Sequence, residues 1–138
     1  MYNESLVRLS SLMEQIFIIL IFIYLLVFLT SYYLSGYIFG YIFGAEYKNA
    51  GTIFTYITVA VFFTSVFSLY YRILVIANKQ YVYLYVMGFG AVINFLLNLY
   101  FIYIYKEFGA IITTIIVNAM IFFIVRYKAN IILRRVNV

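Results

Sequence analysis

The chain contains no cysteine, no histidine and no proline. Without cysteine there are no disulfides and no thiolate metal sites. Without histidine there is no imidazole ligand, and neither Ser-His nor Cys-His catalysis can be assembled. Charge is scarce too, at 9% of 138 residues. The acidic part is Glu4, Glu14, Glu46 and Glu107, each at or near the end of an apolar segment. A buried acid/base pair would need distant parts of the fold to converge. The inventory therefore argues against an enzyme, and no metal or cofactor is expected. The missing proline goes with abundant Ile, Phe, Tyr and Asn, the bias an A/T-rich coding sequence imposes.

What is present is hydrophobic, 68% of the chain. A soluble domain of this size could not cover its surface from such a composition. Lipid is the alternative solvent, and runs of roughly 20 apolar residues span a bilayer core. The net charge is +5, carried in links and at the C-terminal end. It fits orientation by anionic lipid and the insertion machinery better than binding to nucleic acid.

Along the chain, Leu6, Leu9, Leu12, Met13 and Ile16 keep helical spacing, with Glu4 and Arg8 as an i,i+4 pair on the other side. This predicts an interfacial helix leading into the membrane. It makes a poor signal peptide, because its charges nearly cancel and the apolar run after it is too long. Spans are predicted over Ile16–Leu34, Thr52–Ile76, Tyr81–Tyr105 and Gly109–Val125. The repeat Gly36-Tyr37-Ile38-Phe39-Gly40-Tyr41-Ile42-Phe43-Gly44 follows the first. It reads as a frayed helix end anchored by tyrosines, in preference to a small-residue face that admits another backbone.

Four spans place both termini on one side. That side carries Arg8, Arg72, Lys79, Arg126, Lys128, Arg134 and Arg135, against Lys48 and Lys106 on the other. Seven against two predicts a multi-pass protein of the cytoplasmic membrane with both termini in the cytoplasm. Tyrosines such as Tyr32, Tyr70, Tyr81 and Tyr105 fall near the expected headgroup levels.

The polar residues within the spans are ordered. Thr55, Thr58, Ser65, Ser68 and Arg72 share one face of the second span. Gly90, Asn94 and Asn98 lie four apart in the third span, and Ala110, Thr114 and Asn118 in the fourth. An amide in hydrocarbon needs a partner, so Asn94, Asn98 and Asn118 should face a bundle interior or a wet cavity. Two readings follow: interhelical glue, or a cavity suited to a hydrated cargo such as sugar. Arg72 has two readings as well, a bidentate phosphate fork or a side chain snorkelling to the headgroups. Glu14 reads as interfacial, and Lys106 with Glu107 as a solvated turn. The candidate cavity-lining set is Arg72, Thr58, Ser65, Ser68, Asn94, Asn98 and Asn118.

Gly44-Ala45-Glu46-Tyr47-Lys48-Asn49-Ala50 resembles the "Phe-Gly-x-x-Tyr-x-x-Ala" link of the polysaccharide (O-antigen) flippase family. That family shares a superfamily with multidrug and toxin extrusion transporters. Asn94, Asn98, Ile102, Gly109-Ala110 and Thr114 resemble its "Asn-x-x-x-Asn…Ile-Pro…Gly-Ala-Ala-x-x-Thr" region. Tyr103 stands where the family usually has proline, Lys106 where a first glycine is common, and Ile111 in place of the second alanine. The resemblance covers nearly the whole chain, as the C-terminal portion of a family member with about twelve helices in two lobes.

It implies an all-α fold: an integral membrane bundle of four transmembrane helices plus the interfacial helix, within that larger architecture. It also implies alternating-access movement of a lipid-linked oligosaccharide between leaflets for surface polysaccharide biosynthesis. The partners would be membrane lipid, that oligosaccharide, and the missing lobe or another copy of the chain. Two alternatives remain: a complete small four-helix transporter or flippase subunit acting as an oligomer, and a structural membrane protein without cargo.

Overall fold

The computed structural model describes residues 2–136 of the chain. The side chains of Glu4, Leu6, Leu9 and Arg135 lie outside the described residues. The fold is all-α: α1 (Tyr2–Ile42), a single 3-10 turn (Ala45–Tyr47), α2 (Lys48–Ile76), α3 (Gln80–Tyr105) and α4 (Glu107–Val136). Four of these helices are long and apolar enough to cross a membrane: Ser11–Ile42, the stretch Ala45–Ile76, Gln80–Tyr105 and Glu107–Arg134. Continuous helix is what hydrocarbon demands, since it satisfies the backbone within each segment. With no proline, nothing in the sequence takes a backbone donor away.

Three boundaries differ from expectation. The interfacial helix and the first span are one helix of 41 residues, about 60 Å at 1.5 Å per residue. Residues 2–34 offer no glycine or proline to break it, and Met13 is buried in the core rather than lying on the headgroups. The glycine repeat is not a frayed end either, because α1 stays helical through Ile42. Its small residues meet α2. A Cβ on Gly51 would come within 2.7 Å of the Gly36 nitrogen and the Ser35 carbonyl carbon, so only glycine admits that approach. Finally, α4 runs past Val125 to Val136, because Ala129 and Ile132 continue its buried stripe.

The turns follow from local chemistry. At the end of α2 the Asn78 N–H donates to the Val75 carbonyl (3.0 Å) and the Lys79 N–H to the Leu74 carbonyl (2.7 Å). This is a Schellman cap with Asn78 left-handed at φ 55°, a position asparagine tolerates. Between α3 and α4, Lys106 takes φ 52° and ψ −129°. Gly109 then seats against the Phe101 backbone, where no Cβ would fit.

Packing joins the helices in the spatial order α1, α2, α4, α3. Between α2 and α3 the contacts are sparse. Phe67 and Tyr71 reach Tyr83 there, close to the connecting link. The core therefore gathers at the end holding that link: Met13, Val66, Tyr70, Leu74, Ile121 and Val125. Arg126 caps this end, its guanidinium 5.2 Å from the Phe17 ring centre, 5.6 Å from Tyr70 and 5.7 Å from Phe122. These contacts tie α1, α2 and α4 together, each of a kind worth about 0.5–2 kcal/mol. Tyr70, expected at a headgroup level, is thus inside the protein. Toward the opposite end α2 and α3 diverge over α4, leaving grooves on both flanks of that helix.

Candidate functional site

The third- and fourth-span polar faces meet in one place. Asn94 and Asn98 of α3 face Val117, Asn118 and Ile121 of α4 across a groove of about 390 Å³. Ile121 lies over Gly90. A second groove, also about 390 Å³, runs between α2 and α4 past Ala60, Thr64, Ala110 and Thr114. Asn118 lines both grooves. The two grooves share Asn118 and flank α4, and together they are termed the trough.

Most polar groups in the trough are paired. The Asn98 Nδ2 donates to Asn94 Oδ1 at 2.8 Å, one helical turn away. The Asn118 Nδ2 donates to Thr64 Oγ1 at 2.9 Å and to the Ala60 carbonyl at 3.2 Å. The Thr114 hydroxyl donates back to the Ala110 carbonyl at 2.8 Å. One acceptor is left over: Asn98 Oδ1 is buried with no hydrogen-bond partner among the described residues. The Thr113 hydroxyl, on a fully buried residue, is in the same condition. Such atoms cost about 1–3 kcal/mol each unless something hydrates or binds them.

The second-span face goes elsewhere. The Ser65 hydroxyl is 2.7 Å from the Tyr24 hydroxyl of α1. Thr58 is buried, lines a groove with Tyr24 and Phe28, and donates to the Thr55 carbonyl at 2.6 Å. Ser68 is exposed and bonds within its own helix, to the Ser65 carbonyl at 2.7 Å. Arg72 is exposed near the end of α2. The seven candidates thus divide. Asn94, Asn98 and Asn118 share the trough; Thr58 and Ser65 sit on the α1–α2 seam; Ser68 and Arg72 face outward.

Three contributors were not among the sequence candidates. Thr64 supplies the α2 side of the trough, and its signal was the run Ile57, Ala60, Val61, Thr64 at one-face spacing. Tyr24 holds Ser65, and nothing in the sequence pairs them. Thr113 hides beside Thr114, one residue round the helix.

The trough's chemistry is neutral: amides, hydroxyls and apolar walls. It can hydrogen-bond a hydrated or hydroxyl-bearing molecule, and none of its lining residues is charged. Among the described residues no group of three or more His, Cys, Asp or Glu could hold a metal ion. No protein-family model, curated protein or solved structure matches the chain. By the length and composition of its helices, this is a multi-pass helical membrane protein.

Proposed function

We propose that the chain is part of a membrane transporter that moves lipid-linked oligosaccharide across the bilayer, with its α2–α4 trough as one wall of the translocation path. The observation that carries the reading is that Asn94 and Asn98 line one groove beside α4, Thr64 and Thr114 line the other, and Asn118 lines both. Amides and hydroxyls match the donors and acceptors of sugar hydroxyls. The motif resemblance to polysaccharide flippases runs through the same residues, Asn94, Asn98 and Thr114. The trough is open opposite α4, so the proposed path needs a second wall, from another lobe or another copy.

The test is photo-crosslinking in cells that make a lipid-linked surface polysaccharide. A photoreactive residue at Ala91, in the trough, is expected to capture the glycolipid. One at Leu99, exposed on the same helix, is expected to capture bulk phospholipid. Asn94→Leu with Asn98→Leu should abolish capture at Ala91. Equal glycolipid yield at both positions overturns the reading. Restored surface polysaccharide when the chain alone is expressed in a flippase-deficient strain would exclude a wall from another lobe and leave another copy of the chain as its source.

A second reading is a structural membrane protein whose polar side chains hold helices together. The Asn118–Thr64 and Ser65–Tyr24 hydrogen bonds favour it. It predicts that no trough position captures glycolipid.

A further inference from the structure

Away from the trough, the far ends of α1 and α2 flank an open cavity of about 340 Å³. Its walls include Tyr33 and Tyr37 of α1 and Lys48, Thr52, Thr55 and Tyr56 of α2. This size falls in the range of small-ligand sites, roughly 300–1,000 Å³. Its chemistry differs from that of the two grooves beside α4, neither of which has a charged lining residue. It combines phenol and threonine hydroxyls with one ammonium group, and it lies just beneath the 3-10 turn that joins the two helices.

Lys48 is the informative residue. It stands in the first turn of α2, where the helix end is already partly positive, and that turn contains no acidic residue. No carboxylate pairs with it among the described residues, and Glu46 two positions earlier forms no ion pair with it. Its stem is fixed against α1: the Cγ and Cε atoms lie 3.1 and 3.3 Å from where a Cβ on Gly40 would stand. The small residue at Gly40 makes room for that stem. An exposed cation at the positive end of a helix, with no counter-ion among the described residues, is stabilised by an external anion.

The place of the cavity, near the end of α1 and the start of α2, points to which anion. Tyr33 and Tyr37 lie within the last three turns of α1, and tyrosines at such positions sit among lipid headgroups. The anion abundant at that level is a phosphodiester. We infer that this cavity is a binding site for the headgroup of an anionic glycerophospholipid. Lys48 would pair with the phosphate, the Tyr56 and Thr52 hydroxyls would be placed to donate to headgroup oxygens, and the acyl chains would run down the exposed apolar side of α1. This inference does not depend on the transport reading, because the cavity lies on the α1 side of α2 and the trough on its α4 side.

The test uses the full chain in nanodiscs of phosphatidylcholine doped with phosphatidylglycerol, followed by detergent extraction and mass spectrometry of retained lipid. Wild type is expected to retain phosphatidylglycerol selectively. Lys48→Gln should lower retention roughly tenfold, the effect of one charge-assisted contact. Lys48→Arg should restore most of it, and Lys79→Gln, at the opposite end, should match wild type. Equal retention by wild type and a folded Lys48→Gln overturns the inference.

Two arms keep the test decisive. If Lys48→Gln does not fold, photoreactive phosphatidylglycerol is cross-linked to wild type. Adducts concentrated in 32–37 and 48–56 support the site, and adducts spread along the exposed faces overturn it. In nanodiscs without anionic lipid, inorganic phosphate is titrated and its phosphorus resonance followed. Saturable, Lys48-dependent broadening in the millimolar range would mark a free-phosphate site and overturn the lipid assignment.

Discussion

Gly51 and Asn118 show how single residues join these helices. Lipid gives helices no hydrophobic reason to associate, so close packing and hydrogen bonds must do it. At Gly51 the two backbones touch: the Ser35 hydroxyl donates to the Gly51 carbonyl at 2.8 Å, and Thr55 Oγ1 lies 3.1 Å from Ser35 Oγ. Gly51→Val should push α1 from α2 and cost about 1–3 kcal/mol, the range for overpacking. Thermal unfolding in detergent checks it, and an unchanged midpoint would contradict the close approach. Asn118→Leu removes two bonds to α2 and should cost about 1.2 kcal/mol, at an average of about 0.6 for each membrane hydrogen bond. The sequence indicated that Asn118 needs a partner. It could not indicate that the partners are Thr64 and the Ala60 carbonyl, 54 and 58 positions away. Only packing chooses among the hydroxyls and carbonyls available.

At the scale of elements, the turns hold information that periodicity does not. Lys106 occupies φ 52°, ψ −129°, which glycine adopts freely and lysine does not. Lys106→Gly should raise stability, by up to about 1 kcal/mol after its own entropy cost. A lower unfolding midpoint for this variant would mean the side chain makes a contact that outweighs the strain. Helix type and number were legible because each apolar run is long. Helix ends were not: α1 and α4 exceed their expected spans because Met13, Ala129 and Ile132 pack on the core. A hydropathy pattern marks where lipid can lie against a helix. It does not mark where another helix takes over from lipid.

For the whole molecule, orientation is the property most open to a direct test. The chain has no cysteine, so single cysteines can be placed on a clean background. With both termini cytoplasmic, Cys at Ser11, Lys79 or Lys128 should react only from the cytoplasmic side. Cys at Glu46 or Glu107 should react only with an impermeant reagent outside. Labelling of Glu46→Cys and Lys79→Cys from the same face would refute the expected topology. Within that frame the α1–α2–α4–α3 order matters most. It turns Thr55, Thr58 and Ser65 of the second span toward α1 and brings the third- and fourth-span amides together.

By composition and run length alone, the amino-acid sequence determined a helical protein that spans a membrane, because apolar runs this long must satisfy their polar backbone groups within the segment, which a helix does. It also determined that Asn94, Asn98 and Asn118 must turn from lipid, since a solitary amide there is costly. The tertiary structure alone decided that these three share a trough while Thr58 and Ser65 do not. Helical spacing places a residue on a face, but neighbouring helices decide what that face meets.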